Sequence, residues 1–442
     1  MTTIESLKQE FVKRTPQSRK CYEQAKEHLP LGVSSNLQFY EPYPIYWDHA
    51  EGSHFWDVDG NEFTDFNCAF GALMAGHSHP KLVEAAKEQL VRGTLYCAPS
   101  YLTAMCAEEL KKRYPLDLVR FTNTGTEATM HSIRLVRAYT GKNKIVKIEG
   151  CYHGMHDYML HSIFPHLGEI GPDWAPTTVT QSKGIPLYIK DDILVVQYND
   201  IDAMKDVFEK HTGEIAAVII EPVMMNCAFI PPRDNYLKKV RKLTEKHNVV
   251  LIFDEVKTGF KLAYGGACEY FDIKPDLVTL AKCLGNGFSL AAFGGKREIL
   301  ERLEIDVLHG GTYGGNPFTI NIALHSLKEL MTKENLEKAF KLEEKLAKGL
   351  DDLMKKHNIQ GFINSIGACG MIFLSEHDIY DYRTCTKYYD KEKFLKFWFG
   401  MVNNGIWLAP RIDEHWTVSI VHSDKDIDKF LEVFDKIAPT LV

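Results

Sequence analysis

The chain has 442 residues and a net charge of -7, with 45% hydrophobic and 25% charged residues. This composition is typical of a soluble globular protein, and its acidic balance argues against a nucleic-acid-binding protein, which would carry a basic surface. No stretch approaches the roughly 20 apolar residues that cross a bilayer, and the N-terminus lacks the apolar core of a signal peptide. We therefore expect a cytoplasmic protein without a membrane partner. The ten cysteines have no CxxC spacing, which predicts reduced thiols rather than disulfides or a zinc site.

The N-terminal part of the chain combines helices with short strands. The first thirty residues have a helical pattern, which Pro30-Leu-Gly32 ends. Short antiparallel strands are predicted at residues 45–47 and 53–57, and Asp59-Gly60 predicts the turn that follows.

From about Leu73 to Leu308, predicted helices alternate with short apolar runs. The helices are predicted at residues 80–92, 101–113 and 126–139. The apolar runs lie at residues 118–121, 145–148, 217–220, 249–253 and 277–280. Runs of four or five apolar residues between helices are typical of a mostly parallel sheet that helices cover on both faces.

After Asn316-Pro317 the pattern changes again. A long helical region at 318–357 precedes two or three short strands and a closing helix at 424–437. We therefore predict an α/β protein with a large domain over residues 73–310 and a smaller α+β domain over residues 311–442. Residues 1–72 are predicted to join the smaller domain.

A loop rich in Thr and Gly follows the apolar run at 118–121. Its residues, Thr122-Asn-Thr-Gly-Thr-Glu-Ala128, precede a predicted helix, whose free N–H groups and dipole attract an anion such as phosphate. Thr126 could instead cap the helix without any ligand, so the spacing alone leaves both interpretations open. The pattern is neither a Walker A loop nor GxGxxG.

Two charged residues follow the last two predicted strands of the large domain. Asp254 ends a buried strand and needs a partner, which could be a protonated ring nitrogen of a cofactor, an arginine or a helix cap. Lys282 lies between an apolar strand and a Gly-rich turn, and partial burial would favour the neutral amine that attacks a carbonyl. Lys282 could instead extend to solvent from the edge of the sheet.

Two further loops contain candidate ligand-binding residues. Tyr152 could stack on a flat ring, or it could simply pack on the core. The Gly-rich loop at residues 309–317 could bind a second anion or serve as an interdomain hinge. His153 and His156 lack the cluster of Cys or carboxylate ligands that would complete a zinc-type spacing, so no metal site is predicted.

The order of these motifs resembles class III aminotransferases of PLP fold type I, over nearly the whole chain. The resemblance is strongest to the branch of glutamate-1-semialdehyde 2,1-aminomutases and β-amino acid aminotransferases. The matching motifs are Asn123-Thr-Gly-Thr-Glu-Ala128, Tyr152-His-Gly154, Glu221-Pro-Val223, Asp254-Glu-Val-Lys-Thr-Gly-Phe260, Leu280-Ala-Lys282, Gly311-Thr-Tyr-Gly-Gly-Asn-Pro317, Gly405-Ile-Trp-Leu-Ala-Pro410 and Ser419-Ile-Val-His-Ser423. The resemblance implies pyridoxal 5'-phosphate (PLP) as the cofactor.

The resemblance also implies a role for each matching residue. Lys282 would form the internal aldimine and then act as general acid and base. Asp254 would keep the pyridine nitrogen protonated, and Val256 and Tyr152 would pack on the two faces of the ring. The other implied cofactor-binding residues are Gly125, Thr126, His153, Glu221 and Asn226. Thr312 would reach the phosphate in the neighbouring subunit, which implies a homodimer.

Two positions concern the substrate. The aminomutase segment Gly-Val-Asn-Ser-Pro-Val-Arg, whose arginine binds a substrate carboxylate, is replaced here by Gly32-Val-Ser-Ser-Asn-Leu-Gln38. Gln38 is neutral and cannot form a bidentate charged pair with a carboxylate. Arg411 resembles the carboxylate-binding arginine of aromatic β-amino acid aminotransferases, although it could be a surface residue near a turn. Both residues are candidate substrate-binding residues.

We therefore expect a PLP-dependent transaminase that moves an amino group between an α- or β-amino acid and a 2-oxo acid. The same cofactor site would also serve an intramolecular aminomutase or an epimerase. A non-catalytic protein with this fold would have no need to keep both Lys282 and Asp254. A dinucleotide-dependent oxidoreductase would need the GxGxxG fingerprint that this chain lacks.

Overall fold

The apolar runs and amphipathic helices fold into three sheets surrounded by helices in the computed structural model, which describes residues 3–441. The strands are β1 (Trp47–Glu51), β2 (His54–Asp57), β3 (Glu62–Asp65), β4 (Leu118–Thr122), β5 (Lys144–Ile148), β6 (Ile193–Val196), β7 (Ile215–Ile220), β8 (Val250–Asp254), β9 (Leu277–Leu280), β10 (Ala291–Gly295), β11 (Phe362–Ile366), β12 (Cys369–Phe373), β13 (Ile406–Trp407) and β14 (Trp416–Thr417).

Sixteen helices are present among the described residues. They are α1 (Ile4–Arg14), α2 (Pro16–Lys26), α3 (Cys68–Gly71), α4 (Pro80–Leu90), α5 (Tyr101–Lys111), α6 (Gly125–Thr140), α7 (Ile201–Lys210), α8 (Tyr236–Lys246), α9 (Gly266–Tyr270), α10 (Arg297–Leu300), α11 (Arg302–Ile305), α12 (Pro317–His325), α13 (Lys333–Lys356), α14 (Tyr382–Tyr388), α15 (Lys391–Asn403) and α16 (Asp424–Ile437). α3 is a single turn whose four residues all have positive φ. No helix within residues 3–441 is long and apolar enough to cross a membrane.

The central sheet has seven strands in the order β4-β10-β9-β8-β7-β5-β6. All neighbouring pairs are parallel except those of β10, which is antiparallel to both β4 and β9. Every residue of β7 and β8 is buried, as expected for strands that helices cover on both faces. The predicted mostly parallel α/β sheet is therefore present.

Two strands of this sheet were not predicted from the sequence. β10 consists of Ala, Phe and Gly residues, of which Ala and Gly have low β-propensity, so its composition does not indicate a strand. β6 follows residues 149–192, which contain no α-helix. The alternation of helices and apolar runs that indicated the other strands is therefore missing before β6. The predicted helical region at 318–357 is divided, because Thr332 caps the start of α13.

The two smaller sheets contain the terminal parts of the chain. β1, β2 and β3 form an antiparallel meander, and β13 extends it in parallel, with Ile406 opposite Thr64 and Trp407 opposite Asp65. β11, β12 and β14 form the third sheet. The N-terminal strands thus share a sheet with residues close to the C-terminus, while the domain boundaries drawn from the sequence stay a prediction.

A buried carboxyl group lies between α13 and the third sheet. Glu343 is almost fully buried, and its side chain accepts hydrogen bonds from the Ser365 hydroxyl and from Trp416 Nε1, the latter at 3.2 Å. Burial raises the pKa of Glu343 from 4.5 to about 8, so the folded protein keeps this side chain protonated and neutral near pH 7.

We expect the raised pKa of Glu343 to destabilise the protein as the pH rises. The unfolded chain loses this proton near pH 4.5 and the folded chain near pH 8, so stability falls across that window. Glu343→Gln removes the titration, and the Ser365 hydroxyl can reverse to accept from the amide. Between about pH 6 and pH 9 the parent should lose roughly 3 kcal/mol more stability than the variant, at about 1.4 kcal/mol per pKa unit. Thermal melting at several pH values measures this difference.

The matched control for this measurement is Glu344→Gln, since Glu344 is the exposed neighbour on the same helix. Its melting temperature should depend on pH as that of the parent does. Equal pH dependence of the parent and Glu343→Gln would contradict the prediction.

Candidate functional site

The candidate residues meet because of strand direction. β4, β5, β7, β8 and β9 run the same way, so the loops after their carboxyl ends lie at one edge of the central sheet, where open α/β sheets bind ligands. These loops enclose a cavity of about 250 Å³, which we call the central cavity. Its lining includes Asn123, Thr124, Gly125, Thr126, Tyr152, His153, Glu221, Asn226, Asp254, Val256, Lys257 and Lys282.

Lys282 follows β9 at the start of a tight turn. It has a positive φ of 48°, a conformation that costs an L-residue about 1–2 kcal/mol, and its carbonyl accepts from the N–H groups of Gly285 and Asn286. The half-buried side chain forms no hydrogen bond within residues 3–441. Burial, and then the ammonium groups of Lys257 and Lys261, lower the pKa of Lys282 from 10.5 to about 8. A substantial fraction of the amine is therefore neutral near physiological pH.

Asp254 ends β8 in the wall of the central cavity, where it is 3% exposed. Its Oδ2 lies 2.7 Å from Nδ1 of His153, while its Oδ1 accepts from Thr279 Oγ1 at 2.9 Å and from the Val256 N–H at 3.1 Å. The second ring nitrogen of His153, Nε2, is buried without a partner among the described residues. These contacts orient the carboxylate and offset the cost of burying it.

The start of α6 forms another part of the wall. Thr124, and not Thr126, caps this helix, with its side chain accepting from the Glu127 N–H, so the alternative in which Thr126 is only a helix cap is wrong. The Thr126 hydroxyl instead accepts from the Met155 N–H at 3.1 Å. The N–H groups of Gly125 and Thr126 have no acceptor within residues 3–441, and such a helix start attracts an anion.

Glu221 holds the loop that contains Tyr152 against the loop that contains Asn226. Its Oε1 accepts from the Tyr152 N–H at 2.8 Å, and its Oε2 accepts from Met225 N–H at 3.0 Å and Asn226 Nδ2 at 2.9 Å. Tyr152 and Val256 both line the central cavity, as expected for residues that pack on a ring.

Gln38 lies in a different cavity, of about 460 Å³, which we call the aromatic cavity. Its aromatic lining residues are Tyr40, Tyr46, Trp47, Phe70 and Trp407. No charged residue belongs to the described lining. Gln38 Oε1 accepts from the Ser34 N–H at 3.2 Å, so the structure gives Gln38 neutral surroundings.

Arg411 lies in a third cavity, of about 480 Å³, which we call the arginine cavity. The guanidinium group pairs with both carboxylate oxygens of Asp413, at 3.0 and 2.6 Å, and lies 5.3 Å from the centre of the Phe164 ring. Thr312 is exposed in the loop before α12 and lies outside the described lining of the central cavity. The substrate role of Arg411 and the phosphate contact of Thr312 stay predictions.

A buried ion pair in the wall of the central cavity was not predicted from the sequence. Lys257 Nζ lies 2.7 Å from Glu414 Oε2, with the two side chains 4% and 9% exposed. The motif Asp254-Glu-Val-Lys257 contained the lysine, but the sequence gives no signal that pairs it with a residue 157 positions later. Through this contact, the segment 407–414 borders all three cavities, since Trp407 and Pro410 line the aromatic cavity and Arg411 the arginine cavity.

The central cavity thus combines an amine, a buried carboxylate and free N–H groups at a helix start. An amine forms imines with aldehydes, a carboxylate pairs with a protonated ring nitrogen, and a helix start binds phosphate. These groups fit a phosphorylated pyridine aldehyde.

Comparisons with known proteins agree with this chemistry. The family model for aminotransferase class-III matches residues 38–438. A glutamate-1-semialdehyde 2,1-aminomutase from Thermodesulfovibrio yellowstonii is 37% identical over 430 residues, covering 96% of this chain and 99% of the relative. An ω-transaminase structure from Sphaerobacter thermophilus has a TM-score of 0.92 at 30% identity, covering 97% of this chain and 99% of that chain. A transaminase solved with PLP bound has a TM-score of 0.87 at 25% identity, covering 97% and 98%.

These matches confirm the family and the α/β fold that the motifs indicated, the PLP-transferase fold type I. They also confirm pyridoxal phosphate as the cofactor. The chain belongs to the class III aminotransferase family of PLP enzymes.

Proposed function

We propose that the chain is a transaminase that moves an amino group between an amino acid and a 2-oxo acid, with Lys282 as the reacting lysine. The observation that carries this proposal is the Lys282 amine, which has a lowered pKa and no hydrogen-bond partner among the described residues. It shares the central cavity with the Asp254–His153 pair. This is the arrangement of a nucleophilic amine beside a carboxylate that can hold a ring nitrogen protonated.

Each group in the central cavity has a distinct task in this proposal. When bound, PLP supplies an aldehyde that reacts with amines and a ring that withdraws electrons. The N–H groups of Gly125 and Thr126 would bind the phosphate, and Asp254, oriented by His153 and Thr279, would accept a hydrogen bond from the ring N–H and keep that nitrogen protonated. Lys282 Nζ, once released, would accept the proton from the amine-bearing carbon of the substrate and deliver it to the former aldehyde carbon of the cofactor, which completes the 1,3-proton shift.

An intramolecular aminomutase is the second candidate function, and the name of the Thermodesulfovibrio relative favours it. Gln38 supports the transaminase instead, because a neutral amide in an uncharged cavity is a poor partner for the carboxylate of a semialdehyde substrate. An epimerase uses the same cofactor site and differs in having no amino acceptor.

We expect single amino acids, without any oxo acid, to remove the visible absorption of the bound cofactor in the parent protein. Subsequent addition of a 2-oxo acid should restore the absorption and yield a new amino acid, because a transaminase reaction consists of two separable halves. Absorption spectroscopy and product analysis measure both halves. The Lys282→Ala variant should lose turnover and the cofactor adduct that borohydride reduces.

Two outcomes would contradict the proposed transaminase. Turnover of glutamate-1-semialdehyde without an added oxo acid, together with no response to other amino acids, would assign the aminomutase. Retention of turnover in Lys282→Ala would show that Lys282 is not the reacting lysine.

We expect Gly125→Ala to weaken PLP binding by about tenfold or more. A Cβ at Gly125 would lie 3.1 Å from both γ-carbons of Val256, at the place where the helix start and the ring-packing residue meet. Overpacking of this size costs about 1–3 kcal/mol. Titration of the cofactor-free protein with PLP measures the dissociation constant.

Gly168→Ala is the matched control, since a Cβ at Gly168 would meet nothing within 4 Å. It should bind PLP as the parent does. Unchanged PLP affinity in Gly125→Ala would place the cofactor away from the start of α6.

We also infer that the chain forms a homodimer in which Thr312 reaches the phosphate of the neighbouring subunit. Thr312 is exposed, and its neighbours Leu308 and Tyr313 are 86% and 62% exposed, which is typical of apolar residues at a subunit interface.

For this interface, light scattering should give twice the mass of the chain, and Leu308→Glu should shift the mass towards the monomer and weaken PLP binding together. Thr312→Ala should weaken PLP binding without changing the mass, whereas Thr312→Ser, which keeps the hydroxyl, should not. A monomeric parent with full PLP affinity would contradict the inference.

A further inference from the structure

The Lys257–Glu414 pair has a special position in the central cavity. Lys257 Nζ donates to Glu414 Oε2 and to the Met225 carbonyl, both at 2.7 Å, so a nearly buried ammonium group is held between two loops. Among the described lining residues of this cavity, Lys257 and Lys282 are the two lysines, and no arginine is present. Since Lys282 reacts with the cofactor, Lys257 is the cation left for a ligand.

An amino acid substrate brings a carboxylate that needs a partner when it leaves water. The other candidates for this task are less suited to it. Gln38 is neutral and lies in the aromatic cavity, and Arg411 lies in the arginine cavity with both carboxylate oxygens of Asp413 as partners. Lys257 is therefore the one cation other than Lys282 in the described lining of the central cavity, where the substrate carboxylate would enter.

We propose that Lys257 binds the carboxylate of the amino acid substrate, and that this carboxylate replaces Glu414 as the acceptor for Lys257 Nζ. This inference rests on the proposed transaminase function and names the group that selects amino acids over simple amines. Glu414 neutralises the buried ammonium, which would destabilise the site if it had no partner. The substrate carboxylate is the same chemical group and satisfies the same donor.

Replacement of Glu414 by the substrate carboxylate also frees Glu414 to accept a proton from the incoming amino group. An amino acid enters as an ammonium ion and must lose one proton before its nitrogen can attack. Burial raises the pKa of Glu414, while the ammonium group of Lys257 opposes this rise. Once Lys257 binds the substrate, Glu414 loses that opposition and can take up the proton, so the number of charges in the cavity stays balanced.

A second buried lysine provides a matched control. Lys261 is also fully buried and also lowers the pKa of Lys282, but its Nζ donates to the Gly71 carbonyl at 2.7 Å and it does not line the central cavity. Replacing Lys261 removes a nearby charge without removing a group that can touch the substrate. The two lysines therefore separate an electrostatic effect on Lys282 from a contact with the substrate.

The experiment uses the PLP-loaded protein and two substrates that differ only in the carboxylate, phenylalanine and 2-phenylethylamine. We expect Lys257→Met to raise the half-saturating concentration of phenylalanine by about tenfold or more, as for loss of a charged hydrogen bond, and to change that of the amine no more than Lys261→Met does. Lys257→Arg should keep the preference, and Lys261→Met should change both substrates alike. Because Lys257→Met leaves Glu414 unpaired, the double variant Lys257→Met, Glu414→Gln provides the same test in a site without a buried charge.

A binding measurement makes the result independent of turnover. Calorimetry with 3-phenylpropanoate, an acid without an amine, should show binding to the parent, tighter binding to Glu414→Gln and about tenfold weaker binding to the double variant. Equal loss for phenylalanine and 2-phenylethylamine, or equal binding of the acid to all variants, would overturn the assignment of Lys257. If no amine changes the cofactor absorption, the proposed transaminase fails, whereas the acid titration still tests Lys257.

Discussion

The direction of the strands in the central sheet is the constraint on which the site depends. Because β4, β5, β7, β8 and β9 run the same way, five loops far apart in the sequence end at one edge. β10 preserves this arrangement, since two antiparallel pairings in succession leave β4 parallel to β9. Reversing one strand would place Asp254 or Lys282 at the opposite edge, so the chemistry follows from the topology rather than from any single loop.

The ionisable groups that the fold buries differ in how the cost of burial is offset. Asp254 has hydrogen-bond donors on both oxygens, and Lys257 has a carboxylate partner. Glu343 accepts hydrogen bonds from Ser365 and Trp416, but burial outweighs them and keeps its proton in place. Lys282 has no hydrogen-bond partner among the described residues. Burial lowers its pKa to about 8, which makes loss of its proton easier. Lys282, the proposed reacting lysine, is thus a group whose burial no hydrogen bond among the described residues compensates.

Much of the fold could be predicted from the sequence, because the strands that carry the site are short, apolar and separated by helices. Asp254 and Lys282 could be located since each follows such a strand directly, and the cavity does bring both together with Gly125, Tyr152 and Glu221. β10 could not be predicted from its small residues, and Glu414 could not be paired with Lys257, because that contact joins distant segments whose approach depends on the whole fold. The order of motifs along the chain identifies a family, but it does not predict which side chains pair in the folded protein.

The course of the segment 407–414 has a consequence for how selectivity in this protein can change. One short stretch contributes Trp407 and Pro410 to the aromatic cavity, Arg411 to the arginine cavity, and Glu414 to the ion pair with Lys257 in the central cavity. None of these residues belongs to the strands that hold Asp254 and Lys282. Under the proposed function, replacement of this one segment would therefore change all three cavities at once and leave Asp254 and Lys282 in place.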